Sequence, residues 1–70
     1  MQYYDTLTNS EINYLIGEYI HSERNRRILR YKLIDGYTYE HIAEIEAMSP
    51  RQIKTIVKQC AAAMRQSAMN

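Results

Sequence analysis

The 70-residue chain has no tryptophan, no phenylalanine, one cysteine, one proline and two glycines. Each scarcity excludes something. A single cysteine, Cys60, cannot close an internal disulfide, which fits a reducing, cytoplasmic setting. Gly17 and Gly36 stand alone, so there is no glycine-rich loop to cradle a phosphate. His21, His41 and Cys60 lack metal-ligand spacing, and neither zinc nor another cofactor is expected. No serine, cysteine or lysine has an evident base beside it, so the chain does not read as an enzyme. No apolar run approaches the roughly 18 residues that a membrane span requires. The opening "MQYYDTLTNSE" has no basic region followed by an apolar stretch, so it does not read as a secretory signal. Strand alternation, internal repeats, low-complexity tracts and linkers are all missing from the pattern.

What is there is globular. Apolar residues make up 46% and charged residues 24%, which suits one small domain over residues 1–70 with a limited core. Tyrosine is abundant, at seven residues. Tyr14, Tyr19 and Tyr31 are expected in or at the edge of the core, with their hydroxyls in water. Tyr3 and Tyr4 precede the first helix and are expected as a loose lead or as cover for an apolar seam in a dimer.

The net charge of +1 hides a strong alternation. Residues 1–23 carry −4, residues 24–32 carry +5, residues 33–48 carry −4 and residues 49–70 carry +4. Two basic segments could form one basic face on a nearly neutral molecule. Alternatively, the blocks pair with one another on solvated helices.

The apolar periodicity gives four helices. Residues 9–20 carry Ile12, Leu15, Ile16, Tyr19 and Ile20 on one stripe. Thr8 and Glu11 form a capping box at their start, and Leu7 and Ile12 can form a hydrophobic staple. A second helix is expected over 23–34, with Ile28, Leu29, Tyr31, Leu33 and Ile34 touched from two sides. Asp35-Gly36 ends it, Gly36 taking a left-handed cap. A short third helix spans 38–46, capped by Thr38, with Ile42 and Ile45 facing the core. A fourth spans 49–66 and frays beyond, with Ser49 as N-cap, Pro50 in the first turn and Gln52 closing a second capping box. Met48 and Ile53 can staple this entry. Its buried stripe is Ile53, Ile56, Val57, Cys60 and Met64.

The break between the last two helices is informative. Two helices joined by a turn of three or four residues make a helix-turn-helix, which supports its second helix from behind and leaves that helix's outer face free. Arg51, Thr55 and Lys58 fall on that outer face, with Lys54 and Arg65 on a flank. No acid occurs from Ser49 to Asn70. Carboxylates there would repel phosphates; their absence suits a nucleic-acid surface.

The segment "ERNRRILRYKLIDGYTYEHIAEIEAMSPRQIKTIVKQCAAAMR" resembles region 4 of the sigma-70 family of bacterial RNA polymerase sigma factors, and the small stand-alone phage and Firmicutes proteins that share that domain. The resemblance lies in the order of Arg24, Ile28-Leu29, Asp35-Gly36, Thr38-Tyr39-Glu40, Ile42-Ala43 and Ser49, and in the apolar Ile53, Ile56, Cys60 and Met64. It covers about residues 23–65. It implies an all-α, four-helix compact domain containing a helix-turn-helix, and a sequence-specific double-stranded DNA-binding protein acting in transcription. Two positions depart from the pattern. Glu46 stands where the family has a buried leucine, and Ala47 where glycine often makes the turn. Either the turn is reshaped, or Glu46 points outward and Ile45 takes over the packing. Pro50 and Arg51 replace the Arg and Glu of many sigma factors, so their promoter preference does not carry over.

The resemblance implies base contacts from Arg51, Lys54 and Thr55, and the outer face adds Lys58. Arginine is the best bidentate reader of guanine. Thr38, Tyr39, Ser49, Gln52, Arg24 and Arg27 are the expected contacts to the DNA backbone, Gln52 sharing that role with its cap. Of Arg24, Arg26, Arg27 and Arg30, some are expected to pair with Glu11, Glu18 or Glu40. A single module of this size binds DNA weakly unless it forms a homodimer, for which the first helix is the natural place. The competing reading is a phage-type protein-binding module or inhibitor that grips RNA polymerase or a host nuclease through the same scaffold.

Overall fold

A computed structural model describes the backbone of residues 7–69 and the side chains of residues 7–66. Tyr3 and Tyr4 lie outside the described residues. The fold is all-α: α1 is Asn9–Tyr19, α2 is Glu23–Leu33, α3 is Tyr39–Glu46 and α4 is Pro50–Met69. No strand occurs among the described residues. None of the described helices is long and apolar enough to cross a membrane.

Each helix start follows from a side chain that replaces the missing intrahelical acceptor. At α1 the Thr8 hydroxyl accepts from the Glu11 N–H at 3.2 Å, and the Glu11 carboxylate accepts from the Thr8 N–H at 2.9 Å. Those bonds hold the Glu11 carboxyl below its ordinary range. Ser22, which the periodicity did not single out, caps α2 by accepting from the Asn25 N–H at 3.3 Å. Thr38 caps α3 by accepting from the His41 N–H at 3.1 Å. At α4 the Gln52 N–H donates to Ser49 Oγ at 3.2 Å and the Ser49 N–H donates to Gln52 Oε1 at 3.0 Å.

The helix ends are more individual. Ile20 is extended and closes α1 one residue before the expected end. After α2 the chain turns through Gly36 at φ +74°, the left-handed conformation expected there. Ala47 follows α3 in the same left-handed region, with φ 56° and ψ 46°. That conformation lets the Met48 N–H reach the Ala43 carbonyl at 3.0 Å. A β-carbon makes it unfavourable by about 1–2 kcal/mol relative to glycine. The turn therefore keeps a glycine-like shape without glycine. The helix α4 extends to Met69, three residues past the expected end, since the alanine run Ala61–Ala63 favours helix and no breaker follows Pro50.

The core is aliphatic. Ile12, Ile16, Ile20, Ile28, Leu29, Ile42, Ala43, Ile53, Val57 and Met64 are buried. They come from all four helices, and α4 packs against each of the other three. Leu7, Leu15, Tyr31, Leu33, Ile34, Met48, Ile56 and Cys60 are half-buried around them. Three expectations fail. Ile45 is 44% exposed, because the angular place between Ile42 and Ala43 on α3 falls to Glu46, and Ile45 lies beyond the edge of that buried face. Tyr14, two residues from Ile12 and so on the far face of α1, is 64% exposed. Tyr19 matches the stripe by angle but stands at the last helical position and is also exposed.

Candidate nucleic-acid interface

The two basic blocks meet different fates. On α2 four of the five cations, all but Arg24, are drawn inward, because carbonyls and carboxylates stand within reach. Arg26 lies across the end of α1, where Nε donates to the Ile20 carbonyl and Nη2 to the Gly17 carbonyl at 3.1 Å. The last carbonyls of a helix have no intrahelical partner, and a guanidinium answers both that need and the local negative dipole. Arg26 also meets Glu23 at 3.3 Å. Arg30 Nε donates to Asn13 Oδ1 at 3.1 Å, again joining α2 to α1. Lys32 donates to the Tyr37 carbonyl at 3.1 Å and sits 4.3 Å from the centre of the Tyr39 ring.

Arg27 has the most consequential partner. Its Nε and Nη2 donate to the two carboxylate oxygens of Glu46 at 2.9 and 2.8 Å, a bidentate pair. The Glu46 side chain is 7% exposed, while that of Arg27 is 48% exposed. The hydrogen bonds to Arg27 hold the Glu46 carboxyl below its ordinary range, with a further contribution from the charge of Arg24. The same bonds raise Arg27. Neither sequence alternative for Glu46 occurs. It does not turn outward with Ile45 packing in its place, and the left-handed Ala47 preserves the turn. Glu46 instead folds under the guanidinium and fastens the end of α3 to α2. None of the expected partners Glu11, Glu18 or Glu40 is engaged by the α2 arginines among the described residues.

Arg24 remains exposed, with only long contacts of 3.3 Å to Asn25 Oδ1 among the described residues. It lies near Cys60, whose half-buried thiol is pushed up by burial, with Arg24 and a hydrogen bond to Asn25 opposing that shift.

On α4 no described group captures the cations. Arg51, Lys54 and Lys58 are exposed, and no described acid or carbonyl accepts from their side chains. Thr55 is exposed beside them, its hydroxyl donating to the Arg51 carbonyl at 3.1 Å. The opposite face of the helix seats Ile53, Val57 and Met64 in the core. The helix is thus fixed from behind by three apolar anchors and carries a cationic front that contains no carboxylate.

The expected backbone contacts divide. Thr38 and Ser49 each have the hydroxyl occupied in a cap, as does the Gln52 carbonyl oxygen. Gln52 keeps its amide N–H groups free among the described residues. Tyr39 is half-buried under Lys32. Arg27 has its fork filled by Glu46 and is left out of the free cations. A feature that periodicity did not reveal lies at the start of α3: Tyr37 stacks between Tyr31, at 5.6 Å, and His41, at 4.5 Å. The spacing Tyr31–Tyr37 crosses a helix end and a turn, so no single helical or strand period marks it.

Among the described residues, no three His, Cys, Asp or Glu side chains gather in a way that could hold a metal ion. No family model, no curated protein and no solved structure matches the chain.

Proposed function

We propose that the chain binds double-stranded DNA in a sequence-specific manner and regulates transcription, with α3, residues 47–49 and α4 acting as a helix-turn-helix. The observation that carries this reading is the acid-free, uncompensated cationic face of α4, opposite its buried anchors. The B-DNA major groove accepts one α-helix, and a helix fixed from behind can enter it without reorganising. Arg51 and Lys54 are the base readers near the helix start, Thr55 joins them, and Lys58 lies one turn further on. Arg24 and the free amide of Gln52 reach the flanking phosphates. Thr38, Ser49 and Arg27 act indirectly, by holding the two helix starts and the end of α3.

One module of this size gains little contact area, so a homodimer on two half-sites is part of the proposal. Selection from a random duplex library at two salt concentrations tests both parts. Enrichment of a palindrome, with affinity that falls steeply as salt rises, is the expected result. No enrichment at either salt concentration rejects it.

A second reading is favoured by a separate observation. Tyr14 and Ile45, 64% and 44% exposed, present apolar surface on α1 and α3, outside the cationic helix α4. Such residues suit a protein partner, such as RNA polymerase or a host nuclease. Stoichiometric capture of one protein from nuclease-treated lysate, lost in Tyr14→Ala or Ile45→Ala, would support this reading over the first.

A further inference from the structure

The rotamer of Thr55 adds a chemical detail to the face described above, and this inference rests on the DNA-binding reading. Threonine has two ways to meet a base edge. Its hydroxyl can donate or accept a hydrogen bond, or its methyl can make an apolar contact. In this helix the hydroxyl proton is already used, since Oγ1 donates to the Arg51 carbonyl at 3.1 Å. Turning Oγ1 toward the backbone leaves the γ-methyl as the other substituent on the β-carbon of an exposed residue. Arg51 is one turn before Thr55, Lys54 is adjacent and Lys58 follows three residues later. All three have long side chains that pass beyond a short threonine. The methyl is thus a short apolar point with Arg51, Lys54 and Lys58 along one side of it, on a face otherwise built for polar contacts.

We propose that Thr55 reads DNA through this methyl and selects the C5-methyl group of a thymine, next to the base read by Arg51. In the major groove thymine alone among the four bases offers a methyl, and a threonine methyl is a fitting partner for it. The charged neighbours supply affinity and orientation, and Thr55 distinguishes thymine from the bases without that group. A hydroxyl tied to its own backbone has no proton left to donate to a guanine or adenine edge.

The test uses the best duplex from the library selection, with each thymine replaced in turn by uracil, which differs only by the missing methyl. Affinities are measured for the full chain and for Thr55→Val and Thr55→Ser, each checked for an unchanged helical signal and thermal midpoint. At one position, uracil weakens the parent chain and Thr55→Val by roughly fourfold, the worth of one buried methyl group. Thr55→Ser, which keeps the hydroxyl and lacks the methyl, binds thymine and uracil duplexes alike at that position. The inference is overturned if Thr55→Ser retains the full thymine preference, if Thr55→Val loses it, or if no position responds to uracil. Those outcomes leave DNA binding itself intact. A chain that binds no duplex rejects the DNA-binding reading, and the role of Thr55 falls with it.

Discussion

The segments 24–32 and 49–70 carry almost the same charge, +5 and +4, and the molecule uses them in opposite ways. On α2, Arg26, Arg27, Arg30 and Lys32 turn toward oxygens supplied by α1, the end of α3 and the loop before it. On α4, Arg51, Lys54 and Lys58 find no acceptor among the described residues. Charge density in a sequence counts cations; it does not say which of them are available to a partner. Availability depends on whether a helix end, a carboxylate or an amide oxygen lies within the reach of a side chain. Apart from Arg24, the α2 block fastens the helices together, and the α4 block is left facing outward.

Charge reversal separates the two roles most sharply. Arg51→Glu or Lys54→Glu is expected to abolish duplex binding while leaving the thermal midpoint nearly unchanged, because both residues are exposed and have no ion pair among the described residues. The milder Arg51→Ala should cost about 1–3 kcal/mol of binding, the range for an arginine reading a base. Electrophoretic mobility shift and thermal melting on the same preparations check both halves. Normal binding by either reversal would remove α4 from the interface.

Arg26→Ala probes the other side of the comparison. It leaves the Ile20 and Gly17 carbonyls at the end of α1 without their guanidinium donor. A loss of about 1.5–3 kcal/mol of folding stability is expected, typical of hydrogen bonds to a charged group. Urea titration measures it. A change within error would mean that water replaces Arg26 without penalty.

The turn between α3 and α4 offers a smaller effect of opposite sign. Ala47→Gly relieves the left-handed strain and should stabilise the fold by up to about 1 kcal/mol, partly offset by glycine's greater freedom in the unfolded chain. Destabilisation in the same urea titration would show that the alanine methyl makes a contact worth more than the strain.

The Arg27–Glu46 pair has a pH signature. The folded Glu46 carboxyl lies below its ordinary value of 4.5, so its contribution is fully present above that value. It is lost as the pH falls through the depressed folded value, because the unfolded state then binds the proton more readily. The Glu11 capping box acts in the same direction. Glu46→Gln should therefore flatten, without abolishing, the loss of stability on acidification below about pH 4.5. An identical pH profile for the variant and the parent chain would contradict the assignment.

Much of this architecture is legible in the residues. The two S/T-x-x-E/Q patterns at Thr8–Glu11 and Ser49–Gln52 mark the starts of α1 and α4, because each requires only local chemistry. The isoleucine spacing identifies most of the core for the same reason. Partner choice was less legible. Arg27 and Glu46 are 19 residues apart, and no local period connects them. Ile45 and Glu46 are adjacent, so which one turns inward depends on what α2 offers opposite them. The resemblance to sigma factor region 4 implies an apolar residue at 46, but an arginine on α2 can satisfy a carboxylate there. The front of α4 was easier to read, since its exposure follows from the position of Ile53, Val57 and Met64 behind it.

The difference between the blocks can be measured directly as the slope of log Kobs against log salt concentration for duplex binding. The parent chain would be compared with Lys54→Gln, Lys58→Gln, Arg27→Gln and Arg30→Gln. Each α4 substitution should reduce the slope by about 1, since it withdraws one cation that displaces counterions from the groove it enters, whereas the two α2 substitutions should leave it unchanged. A slope that falls with Arg27→Gln or Arg30→Gln and ignores both lysine variants would place the DNA on the other face.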